Sequence, residues 1–100
     1  MIRGTTPTHI FTTNVDESEL TSIMVIYAQG DNELFRKCIG DCELDGNRFS
    51  VKLTQEDTLK FNCNQKVQIQ IRILLKDGTA MASRVYVVSV NECLNNEVLT

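Results

Sequence analysis

The stretch VQIQIRILLKDGT, residues 67–79, constrains this chain more than any other. Val67, Ile69, Ile71, Ile73 and Leu75 fall on one face of an extended backbone, and Gln68, Gln70 and Arg72 on the other. A period of two with one apolar and one polar side marks an antiparallel strand buried on one face. Burying one such Ile or Val stabilises by roughly 1.5–3 kcal/mol, which predicts this strand at mid-core. The Asp77-Gly78 pair that follows suits a two-residue hairpin turn. That turn sets Leu75 opposite Ala80 and Ile73 opposite Ala82, and brings Arg84 onto the buried face opposite Ile71. A bulge near Ser83 that returns Val85 and Val87 to the core resolves the conflict.

A second Asp-Gly pair, Asp45-Gly46, predicts another hairpin, with Leu44 opposite Asn47, Glu43 opposite Arg48 and Cys42 opposite Phe49. One face then carries Cys42, Leu44, Phe49, Val51 and Leu53. The other carries Asp41, Glu43, Arg48, Ser50 and Lys52, with opposite charges across the pair. Upstream, SIMVIYAQ (22–29) is apolar on both faces, as a central strand covered on both sides is. Gly30-Asp31-Asn32 reads as a turn and ELFRKCI (33–39) as the return strand. THIFTT (8–13) reads as a first, edge-like strand behind Pro7, and NVDESELT (14–21) as an acidic connection with a helical turn.

These short strands, about seven at spacings of roughly 8–12 residues, predict an all-β antiparallel sandwich of immunoglobulin-like architecture. The chain of 100 residues reads as a single domain, with residues 1–7 as an N-terminal arm and 94–100 as a tail. Its net charge of −3, with lysines and arginines scattered singly, argues against a nucleic-acid partner. No apolar run reaches the roughly 18–20 residues that span a bilayer, so no membrane partner is expected. The opening MIRGTTPTHIF lacks an apolar leader, which predicts folding in a reducing cytoplasm. There the four cysteines, Cys38, Cys42, Cys63 and Cys93, are expected as reduced, buried thiols rather than disulfides.

Residues 53–63, LTQEDTLKFNC, lead from the end of one strand into a one-turn helix at 55–60. Thr54 serves as N-cap and Asp57 as its reciprocal partner three residues on. Leu59 and Phe61 are placed to point back into the core, so the stretch is a corner between sheets. A tyrosine corner of a true immunoglobulin domain would need Tyr where Phe61 stands, and no tryptophan is present to pack on a disulfide. The string LTQEDTLKF, a polar gap, VQIQIRILLKDGTAMAS and a Val-rich last strand resembles a pattern in small proteins of tailed bacteriophages and prophages. The opening MIRGTTPTHIFT, together with YAQGD and CELDGNRFSVKLT, is similar to that group as well. The four cysteines depart from it. The resemblance implies a virion-associated β-sandwich, located in the virion or in the host cytoplasm during assembly, with no catalytic residues to carry over.

Chemistry-bearing patterns are weak throughout. Asp41-Cys42-Glu43-Leu44-Asp45-Gly46 mimics the start of a calcium loop, but Lys52 stands where a bidentate Glu is needed. Only Cys38 and Cys42 lie close enough to suggest a metal pair, and the single histidine, His9, is remote in sequence. No phosphate loop, nucleophile elbow or zinc-protease motif occurs, so a non-enzyme without cofactors is expected. Contact surfaces are the remaining place for function. Outward parity singles out Ile39, Tyr86 and Val88, with Leu74, for contact with other virion subunits or with further copies in a homo-oligomer. An exported adhesion or carbohydrate-binding sandwich is the alternative. It needs oxidised cysteines and an aromatic surface, and the chain has six aromatic residues in all.

Overall fold

The alternating stretch forms a nine-residue strand of the larger of two sheets, second in length only to its ten-residue neighbour. The computed structural model describes residues 1–100 as eight strands, β1 Thr8–Thr12, β2 Leu20–Gln29, β3 Asn32–Cys38, β4 Cys42–Asp45, β5 Arg48–Lys52, β6 Val67–Leu75, β7 Ala80–Ala82 and β8 Tyr86–Val88. One helix, α1 Gln55–Leu59, interrupts them. All named pairings are antiparallel: β1-β5-β4 make one sheet, and β3-β2-β6-β7 the other, with β8 also paired to β6. The result is an all-β, sandwich-like fold.

The inner faces meet in one core. Phe49, Val51 and Leu53 of the small-sheet segment pack with Ile23, Val25 and Tyr27 of β2 and Val67, Ile69 and Ile71 of β6. Tyr27 sits at the centre, fully buried, stacked on Phe35 with ring centres 4.8 Å apart. β2 is central, between β3 and β6, as expected. Its second face differs from expectation. Met24, Ile26 and Ala28 are only half-buried, flanked across the sheet by Arg36 and by Gln68, Gln70 and Arg72. The aliphatic stems of such side chains cover apolar neighbours while their polar heads stay wet, so no second layer is required.

The corner carries the chain from the small sheet to the large one. Thr54 Oγ1 accepts from the Asp57 N–H (3.1 Å), and Asp57 Oδ2 accepts from the Thr54 N–H (2.9 Å). Asp57 also takes the Lys37 ammonium of β3 at 2.8 Å. Just beyond, Gln29 is buried and clamps the turn: its amide accepts from the Asn62 N–H and donates to the Asn62 and Gln65 carbonyls. The arm is docked, with Arg3 N–H on the Asn91 carbonyl at 3.0 Å. Residues 94–100 lack regular structure but are tied to α1 through Gln55, which bonds both backbone groups of Leu99.

Both hairpin registers differ from the sequence expectation. Leu44 faces Phe49 and Cys42 faces Val51, so the turn is Gly46-Asn47, with Gly46 at φ 61°. The two-residue shift preserves every face, because side chains alternate with period two. In the other hairpin Leu74 faces Ala80 and Ile73 faces Met81, around a three-residue loop closed by Gly78 at φ 89°. That register is off by one residue, which inverts the return strand. A step near Ser83 does occur, since Ile69 faces Tyr86 where a continuous ladder would bring Val85. Starting from the corrected register, however, the step turns Tyr86, Val88 and the buried Val90 inward. Val85 and Val87 are exposed.

Candidate functional site

Burial fades along β6. Val67, Ile69 and Ile71 are buried, whereas Ile73 and Leu75 of the same face are only half-buried. The small sheet is three strands wide and the large sheet wider, so the inner face of β6–β8 runs out beyond β1 uncovered. An open groove of about 600 Å³ lies there. That is within the size range of about 300–1,000 Å³ typical of ligand sites. Phe11 forms its β1 wall, Ile71 and Ile73 its floor, and Met81, Tyr86 and Val88 its far side. None of its lining residues is Asp, Glu, Lys or Arg.

The far side is built by one serine. Ser83 donates its N–H to the Ile71 carbonyl (2.8 Å), while its Oγ accepts from the Ile71 N–H (3.0 Å). The Gln70 amide donates to the Ser83 carbonyl at 3.0 Å. Side-chain oxygen thus replaces a ladder carbonyl while the strand gains one residue, as in a bulge. Tyr86 is thereby set against Phe11, with ring centres 6.5 Å apart, and Arg84 lies over the Tyr86 ring at 4.9 Å.

The near wall is a free sheet edge. β1 bonds only β5, and the flanking bonds Leu53 N–H to Pro7 O and Thr13 N–H to Asn47 O fix its phase. In an antiparallel pair the bonded residues alternate. Residues 9 and 11 therefore bond β5, and the backbone groups of Thr8, Ile10 and Thr12 point to the open edge.

His9 is half-buried at the inner end of the groove, with Nδ1 2.8 Å from the Tyr27 hydroxyl and its ring stacked on that of Tyr27. Burial, with the Met1 α-ammonium adding, holds its pKa below the ordinary histidine value. Burial also pushes the Tyr27 phenol well above its usual range. The pair is a satisfied polar contact inside the core.

Of the residues singled out for contact, Tyr86 and Val88 line the groove instead of facing outward from the sandwich. Ile39 lies in a 3-10 turn, half-buried against the core and outside the groove. Leu74 is exposed as expected. Phe11, Ile73 and Met81 were not singled out for contact, and parity had assigned Ile73 to the buried face. The signal for them was length: nine alternating residues in β6 outrun the five-residue strands opposite. The four thiols are unpaired; Cys38 is exposed and the other three are half-buried. Burial pushes the Cys42 thiol up to about 11, with Asp41 and Cys38 adding to the shift. Asp41 of the calcium-like stretch is engaged locally, its Oδ2 accepting from the Cys38 N–H at 2.9 Å. No three His, Cys, Asp or Glu side chains converge as a metal site would need. Comparison with protein-family models, curated proteins and solved structures finds no match.

Proposed function

We propose that this chain is a non-enzymatic structural or accessory protein of a phage or prophage virion, acting through protein–protein contacts with other subunits or with its own copies. The open apolar groove beside β1 is the observation that carries this reading. Its lining is mostly apolar, with threonines along a ready sheet edge, an arrangement that favours a polypeptide over a polar metabolite. The sequence likeness to small phage proteins supplies the setting. Purified particles from an induced lysogen test it: mass spectrometry should find the chain in fixed ratio to the major particle proteins. A Tyr86→Glu variant that stays folded should be depleted from those particles. Absence of the wild-type chain from particles would end the virion reading.

A further inference from the structure

We propose that the groove receives an extended segment of a different polypeptide, which adds as a strand to the free edge of β1 and places every second side chain in the groove. This deepens the protein-contact reading above and rests on it. The backbone groups of Thr8, Ile10 and Thr12 are open along one line; water can meet them singly, but an extended backbone matches the spacing of the whole row at once. The floor beneath is Ile71 and Ile73, which selects apolar side chains at alternate positions of the incoming strand. The lack of charged lining residues excludes charges at those inward positions.

The other edges are guarded and this one is not. β4 carries Glu43 and Asp45, and β3 carries Glu33, Arg36 and Lys37. β7 and β8 are three residues each, with Arg84 in the break between them. Short edges and charges are the usual defences against stray pairing. β1, THIFT, has neither a Lys, Arg, Asp or Glu nor a proline within it, and Ile10 is 66% exposed at its middle. A strand that is left open above an apolar floor is suited to be filled.

A second folded copy does not fit. The two-fold axis that pairs β1 with its equivalent runs along the sheet normal and leaves both large sheets on the same side. The β7–β8 region of each copy would then enter the space beneath the other's β1. The chain's own residues 94–100 do not suit the place either. Asn95, Asn96 and Glu97 are poor strand formers. The occupant is therefore a segment of another protein, five to seven residues long to match β1 at roughly one residue per 3.3 Å, with Val, Ile or Leu at alternate positions.

A heptapeptide display library, selected on immobilised wild-type protein and on Ile10→Pro, tests this. Proline at position 10 removes the open-edge donor while the β1–β5 bonds remain, since the Ile10 N–H points away from β5. Enriched peptides should alternate apolar and polar residues and bind Ile10→Pro at least tenfold more weakly. They should also slow amide exchange of Thr8, Ile10 and Thr12 at least tenfold. No enrichment, enriched peptides without alternation, or equal binding to Ile10→Pro would overturn the proposal. Should Ile10→Pro not fold, Met81→Glu at the exposed far wall must weaken the same peptides for the proposal to stand. Light scattering that shows an oligomer dissolved by either variant would make the occupant a second copy and overturn the assignment to another protein. Capture of alternating peptides by a chain missing from particles would sink only the virion reading.

Discussion

Asp57 joins the corner helix to the opposite edge of the large sheet, so its removal should cost far more than a surface carboxylate would. The side chain is buried, bonds the Thr54 N–H at 2.9 Å and holds Lys37 at 2.8 Å. Loss of the reciprocal cap costs about 1 kcal/mol. Stranding a buried partner charge costs about 3–5 kcal/mol when the charge cannot move. Lys37 can move: its side chain is 18% exposed and its ammonium lies 5.7 Å from the Phe35 ring centre, so part of that cost is relieved by reaching for water. Asp57→Ala is therefore expected to destabilise by about 3 kcal/mol, and Lys37→Met, which keeps contact with Phe35, by about 1.5 kcal/mol. Because both remove the same pair, the double variant should lose about 2.5 kcal/mol rather than the additive sum. Urea unfolding followed by circular dichroism measures this, and with a slope near 1.5 kcal/mol/M the Asp57→Ala midpoint falls by about 2 M. Additive losses, or an Asp57→Ala cost below about 1 kcal/mol, would refute the claim that this carboxylate ties the sheets together. Acid offers the same test without mutation. Burial alone would raise the Asp57 pKa, but the Lys37 ammonium and the Thr54 backbone and hydroxyl hold it below the ordinary carboxylate value. Its contribution is therefore present above the unfolded pKa and lost as pH falls through the lower folded one.

Three further outcomes are expected. His9 has a folded pKa below its unfolded one, so the folded state resists protonation and stability should fall as pH drops through the unfolded value near about 6.5; urea midpoints at pH 7.5 and 5.5 should converge in His9→Gln relative to wild type. Gly78 is held at φ 89° and Gly40 has an ordinary φ with open space at its Cβ position. Gly78→Ala should cost about 1–2 kcal/mol and Gly40→Ala less than about 0.5 kcal/mol by thermal unfolding. With its thiol pushed up to about 11, Cys42 is thiolate in about one molecule per thousand at pH 8, so an aromatic disulfide reagent should label exposed Cys38 first by at least tenfold, as peptide mapping will show.

The parts of the fold legible in the sequence are those that depend on period rather than on register. The inward set Cys42, Leu44, Phe49, Val51 and Leu53 survived a two-residue error in its hairpin, because a shift of two returns each side chain to the same face. A one-residue error at Lys76-Asp77-Gly78 had the opposite effect and hid Tyr86 and Val88 in the wrong face. The corner was legible in detail, since the Thr54–Asp57 cap is a local pattern. Its Lys37 tether was not: twenty residues separate the partners, and only sheet packing brings them to 2.8 Å. The groove itself follows from how far one sheet covers another, and the lengths of β6, β1 and β5 were its one local trace.

The docking of Ile2 and Arg3 against Asn91 sets the order in which the molecule can be completed on a ribosome. At roughly 5–20 residues per second, the arm emerges roughly 5–20 s before its partners exist. β1 finds β5 about halfway through, so the small sheet can close early. β6 then arrives with its Ile face bare, and it waits for β7 and β8 to be made before its edge is paired. The arm is thus made before β1 to β8 yet fastened only after them, and the nascent chain is most exposed to wrong partners in the interval when its groove is only half built.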